Sequence, residues 1–170
     1  MRHAWQRKLN CPRTSSIGRL FDGAAALLGL VAQTSYEGQA ASRLEAICVG
    51  EARPIALPLS RRADGVWESD WSPLLDRLTN ARQSASARAA EFHATLAEAL
   101  LAQARAVRAE HGVAQVGLTG GVFQNRVLCE HVLAGGRREG ISVFIPERLP
   151  CNDAGLSFGQ IVEAGAHDRR

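Results

Sequence analysis

No stretch of this 170-residue sequence is apolar for long enough to cross a bilayer, and its basic opening, MRHAWQRKLNCPRTSS, lacks the apolar core of a secretory signal. Cysteine is scarce and poorly spaced. Cys11, Cys48, Cys129 and Cys151 form no CxxC pair and no zinc-finger spacing, so structural zinc has no support and free thiols are the expectation. Charge gathers in no block: the net charge of +3 comes from scattered arginines, which argues weakly for nucleic-acid binding. Internal repeats and low-complexity linkers are also missing. What remains is 46% apolar and 22% charged, the balance of a soluble globular protein, expected in the cytoplasm, without nucleic-acid or membrane partners. The length suits one domain with a sizeable core, or one lobe of a two-lobed fold.

The chain is organised around Val116 to Gly159. The run Val113 to Leu118 is short and rich in β-branched residues, and Thr119-Gly120-Gly121 follows, which predicts a buried strand ending in a tight turn. From Val122 the pattern becomes helical, with Val122, Leu128, Val132 and Leu133 sharing a face. A second strand lies in ISVFIP, 141–146, and a polar turn at Asn152-Asp153 opens a last helix to about Ala164. A helix of suitable length separates the two strands, so they should be parallel neighbours. Glycines at a strand-to-helix junction let backbone approach a ligand, and free N–H groups there favour an anion. The same two glycines also make ordinary turns.

Residues 1–13 read as a polar arm, 14–165 as the structured unit and 166–170 as a polar tail. Thr14-Ser15-Ser16 offers caps for a helix over Gly18 to Leu30, with Asp22 in its middle, where an aspartate is ordinarily solvent-facing. SYEGQAA turns at Gly38 into a second helix through Leu44 and Ile47. IALPL and VWES, joined through Asp64-Gly65, make a small β element. A short helix starts at Trp71-Ser72-Pro73 with Leu74, Leu75 and Leu78 on one side, and a long one covers about 81–110. His93 within it reads as a structural histidine and is not placed in a site. The order of elements gives an α/β class with more helix than strand.

The strings LTGGVFQNRVL and LPCNDAGLSFGQ, preceded by TSSIGRLFDGAAALLG and SYEGQAA, resemble in the same order the C-terminal carbamoyltransferase domain of the hydrogenase maturation factor HypF, whose usual forms approach LSGGVFQNRLL and LPxNDGGLALGQ. The resemblance runs from about Asn10 to Ala164. It implies one lobe of an actin-like ATPase (ASKHA) fold, helix-rich with a small mixed sheet, closing over a nucleotide. It further implies that Gly120, Gly121 and Asn125 lie against ATP or carbamoyl-adenylate, that Asp22, Gly38 and Gln39 face it, and that Asp153 completes a divalent-metal site, of zinc or iron, with two histidines.

The string HxxxH, CxxC pairs, an acylphosphatase-like segment and a YrdC-like domain are all missing from this sequence. The expectation is therefore a chain encoding only part of the nucleotide site, completed by upstream HypF domains in cis or in trans. The activity implied is passage of a carbamoyl group to the C-terminal cysteine of a HypE-type partner in nickel–iron hydrogenase maturation. No residue here qualifies as a nucleophile, which fits an attacking thiolate supplied by the partner. The alternative is a non-catalytic nucleotide-binding or partner-docking module derived from that domain. For Asp153 a helix N-cap remains open beside the metal.

Overall fold

The computed structural model describes residues 2–12 and 14–167, so Met1, Arg13 and the last three residues of the expected tail lie outside the described residues. Its elements in order are α1 (Arg2–Gln6), α2 (Ile17–Leu27), α3 (Gln39–Ala46), β1 (Leu59–Arg61), β2 (Trp67–Ser69), α4 (Pro73–Thr79), α5 (Ala85–His111), β3 (Gln115–Gly117), α6 (Arg126–Glu139), β4 (Ser142–Phe144) and α7 (Leu156–His167). Short 3-10 turns at Gly121–Gln124 and Asp153–Gly155 precede α6 and α7.

The long helix α5 is the centre of the molecule. Its segment AAEFHATLA is buried on every side, because alanines let neighbouring helices approach closely all round. Phe21 and Ala25 of α2, Leu44 of α3, Leu74 and Leu78 of α4 and Val132 of α6 pack into one core with Phe92 and Leu101. Ser84 caps α5 by accepting from the Ala87 N–H, and Gly112 ends it in the left-handed region at φ 68°. The second half of α5 is held to α6 at the surface, where Arg105 bridges Glu98 and Glu139.

Strands β3 and β4 pair in parallel with register Gln115↔Ser142, Val116↔Val143 and Gly117↔Phe144, as the crossing helix predicts. Strands β1 and β2 form a separate antiparallel ladder, so the helix-rich α/β reading holds with its strands in two pairs. β1 starts only at Leu59, because Pro54 and Pro58 lack the N–H groups a ladder needs. Leu75 departs from the expected apolar side of α4 and is 41% exposed, whereas Leu74 and Leu78 are buried. The expected helix from Val122 is two pieces: a 3-10 turn, then α6 beginning after Asn125, whose side chain caps it.

α7 has no buried residue, and Leu156, Ile161 and Val162 on it are exposed. Deleting 156–170 should therefore cost less than about 1 kcal/mol, a melting shift within roughly 2–4 °C. Thermal denaturation followed by circular dichroism checks this, and a drop several times larger would mean that α7 supports the core.

Candidate nucleotide cleft

The site is built where β3 hands over to α6. The Leu118 N–H still donates to the Phe144 carbonyl, and then the chain turns at Gly120, whose φ of 108° suits glycine. The Gly120 N–H donates to the Cys151 carbonyl, tying this turn to the loop before α7. In the 3-10 turn that follows, the Phe123 and Asn125 N–H groups donate to the Gly120 and Val122 carbonyls. Among the described residues the N–H groups of Gly121 and Val122 find no protein acceptor, as the opening positions of such a turn leave them.

The start of α6 itself is already occupied. Asn125 Oδ1 accepts from the Leu128 N–H at 2.8 Å, and Glu45 Oε1, reaching over from α3, accepts from the Arg126 N–H at 2.8 Å. A carboxylate of this chain thus satisfies the helix end that would otherwise attract an anion. Donors for a ligand are left to the glycine turn.

These groups border a cleft of about 820 Å³ whose walls include Asp22, Gly38, Glu45, Gly121, Asn125 and Asp153. Five of the seven residues singled out from sequence therefore meet in one place, from α2, the turn before α3, the glycine turn and the turn before α7. Asp22 is held by Arg19 at 3.0 Å and keeps part of its carboxylate accessible. Gly38 adopts φ 81° as the residue before α3, a conformation that disfavours side chains. Gly120 borders instead the neighbouring groove of about 770 Å³ beneath α7. Gln39 lines neither, and its Oε1 accepts from the Ser35 N–H at 2.8 Å, so it braces the turn.

The cap ahead of Asp153 is its neighbour Asn152, whose Oδ1 accepts from the Ala154 N–H at 3.1 Å, which leaves the Asp153 carboxylate exposed. Among the described residues no three His, Cys, Asp or Glu side chains stand together as a metal would need. A single exposed carboxylate does not hold a divalent ion by itself.

His93 is the residue that sequence reasoning set aside. It is fully buried, with its ring edge-on to Phe21 and Phe92, and its Nε2 lies 3.0 Å from Asn125 Nδ2 in the cleft wall. Nδ1 is 2.8 Å from the Ala89 carbonyl and 3.2 Å from Cys48 Sγ. Burial lowers its pKa below the usual histidine value, so the ring is neutral. The signal in the sequence was AAEFHATLA, in which small residues on all sides of the helix leave a histidine no route to water. Burial, with Glu45 adding to it, pushes the Cys48 thiol up to about 11, and burial also raises Cys129. Neither is a poised thiolate.

The family model for the carbamoyltransferase, Kae1-like domain, second subdomain, matches residues 1–160. The HypF homologue of Cupriavidus necator is 37% identical over 166 residues, covering 91% of this chain and 41% of that protein. HypF of Rhizobium leguminosarum is 40% identical over 150 residues, 88% of this chain and 19% of that protein. The chain thus spans well under half the length of these relatives. Full-length HypF, solved in a phosphate- and nucleotide-bound form, superposes with a TM-score of 0.85 at 31% identity over 95% of this chain and 22% of that one. With the glycine turn, its cap and its parallel strands all in place, this chain belongs to the HypF carbamoyltransferase family, in the second subdomain of its Kae1-like domain.

Proposed function

We propose that this chain supplies one wall of the nucleotide site in a HypF-type carbamoyl transfer, from carbamoyl-adenylate to the C-terminal cysteine of a HypE-type partner. The observation that carries the reading is the cleft itself, where Asp22, Gly38, Gly121, Asn125 and Asp153 stand together beside two unused backbone donors. In the transfer, the partner's thiolate forms a bond to the carbamoyl carbon. The carbon–oxygen bond to the phosphate breaks, and AMP leaves with the electron pair.

The N–H groups of Gly121 and Val122 are suited to the phosphate oxygens on which that charge grows. Gly120 keeps the turn open, and Asp22 can accept from ribose hydroxyls. Gly38, braced by Gln39, brings backbone close to the ligand. Asp153 offers one carboxylate to a divalent ion whose other ligands would come from a companion lobe, in cis or in trans. This chain's part in the chemistry is positioning and charge stabilisation, with the nucleophile coming from the partner.

Because one wall leaves a ligand largely solvated, the 170-residue chain alone should bind ATP at most weakly and transfer no carbamoyl group. Adding the companion subdomain of a HypF relative should tighten binding, and Gly121→Val should cancel the gain. A β-carbon at Gly121 meets nothing nearer than Asn152 Cβ at 4.0 Å, so the loss would fall on the ligand rather than the fold. Calorimetric titration with ATP reads both arms. No heat from ATP in either arm sinks the nucleotide reading, and tight binding or transfer by the chain alone sinks the division into two walls.

A further inference from the structure

We propose that His93 is a positioning residue of the cleft: it fixes the Asn125 side chain so that one amide hydrogen is presented to an acceptor oxygen of the bound nucleotide. The inference rests on the nucleotide reading above. Its geometry begins at the Ala89 carbonyl, which can only accept. The 2.8 Å contact therefore puts the hydrogen on His93 Nδ1 and leaves Nε2 with a lone pair. Nε2 must then face a donor, and at 3.0 Å it faces Asn125 Nδ2.

A second, independent bond fixes the same orientation, since Asn125 Oδ1 accepts from the Leu128 N–H. Turning the amide over would set oxygen against the ring's lone pair and N–H against N–H, losing both bonds. The ring cannot swing away to allow it, because Phe21, at 5.2 Å between ring centroids, and Phe92 hold it on two sides.

A helix cap alone does not call for this arrangement. Serine, threonine or aspartate would cap α6 through an oxygen, and none of them has an amide nitrogen. Asn125 Nδ2 carries two hydrogens, of which His93 takes one. Among the described residues the other meets no protein acceptor, and the side chain borders the cleft. The ring stays neutral because burial lowers its pKa, outweighing the Ala89 carbonyl and Glu45 of α3, which raise it, while His131 of α6 acts with burial; Cys48 touches the ring as well. A protonated ring would point N–H at N–H and release the amide.

The test is nitrogen-15 NMR of the chain during titration with ADP to millimolar concentration, for wild type, His93→Gln, His93→Phe and Asn125→Ser. In wild type the Asn125 side-chain amide should shift together with the Gly121 backbone amide. His93→Gln, which still offers an acceptor, should keep the Asn125 response. His93→Phe should lose it and bind about fivefold more weakly, the value of one hydrogen bond. Asn125→Ser keeps an oxygen cap without an amide and should bind as weakly, which covers the case in which the phenylalanine variant does not fold. If Gly121 shifts while the Asn125 amide stays still, or if Asn125→Ser binds ADP as wild type does, the proposal is overturned with the cleft reading intact. If no cleft resonance moves in wild type even with the companion subdomain of a HypF relative added, both fall.

Discussion

Replacing Phe21 by alanine is expected to cost about 3–5 kcal/mol, the usual loss when a buried aromatic is truncated and the surroundings close only in part. Phe21 is fully buried and meets Phe92 edge-on at 5.0 Å between centroids, where a side chain of α2 reaches α5. Domains of this kind are stable by roughly 5–15 kcal/mol, so the variant loses a large share of the total. The melting temperature should fall by roughly 6–20 °C at this chain length. Phe158→Ala is the matched control: the same atoms leave a side chain that is 49% exposed on α7, and the change should stay near zero. Urea denaturation of the two variants decides, and equal shifts would mean that α2 does not anchor to α5 as described. Phe21 also walls the His93 ring, so its loss should reach the cleft through Asn125.

Local rules made much of this legible from sequence. The hairpin at Asp64-Gly65, the stop at Gly112, the cap before α2 and the turn at Gly38 each depend on a few neighbouring residues. The parallel pairing of β3 and β4 follows from chain connectivity, and the convergence of Asp22 with Gly121 followed from the resemblance between strings. What stayed hidden depends on residues far apart in sequence. Glu45 reaches the Arg126 N–H across 81 positions, and His93 reaches Asn125 across 32. Periodicity also cannot say whether an apolar face is covered. It gave Leu75 the same signal as Leu74 and Leu78, yet Leu75 faces solvent. Asn125 ends a 3-10 turn and caps α6 at once, and a pattern of apolar residues running through it reads as one helix.

Two glycine-to-alanine changes should shift stability in opposite directions, and the difference isolates the contact that sets α6 against β4. Gly23 is an exposed residue within α2, and a β-carbon there meets nothing within 4 Å, so Gly23→Ala should stabilise by about 0.5–1 kcal/mol through helix propensity. Gly136 in α6 has the same propensity to gain. There, however, the new carbon would stand 2.6 Å from Val143 Cγ2 and 2.9 Å from the Ile141 carbonyl oxygen. A side chain can turn away, but that carbonyl belongs to the backbone entering β4, on the same residue whose N–H donates to the Gly136 carbonyl. Relief therefore requires α6 to move off the strand, and Gly136→Ala should destabilise by about 1–3 kcal/mol, the range of overpacked sites. Gly135 is a milder case, since its β-carbon would overlap the end of the Leu101 side chain, which has rotamers to yield. Chemical denaturation ranks the three variants, and a Gly136→Ala protein as stable as Gly23→Ala would show that the helix does not sit as tightly on β4. The cost should extend to function, because α6 carries Asn125 at its start and any outward shift moves that amide away from His93.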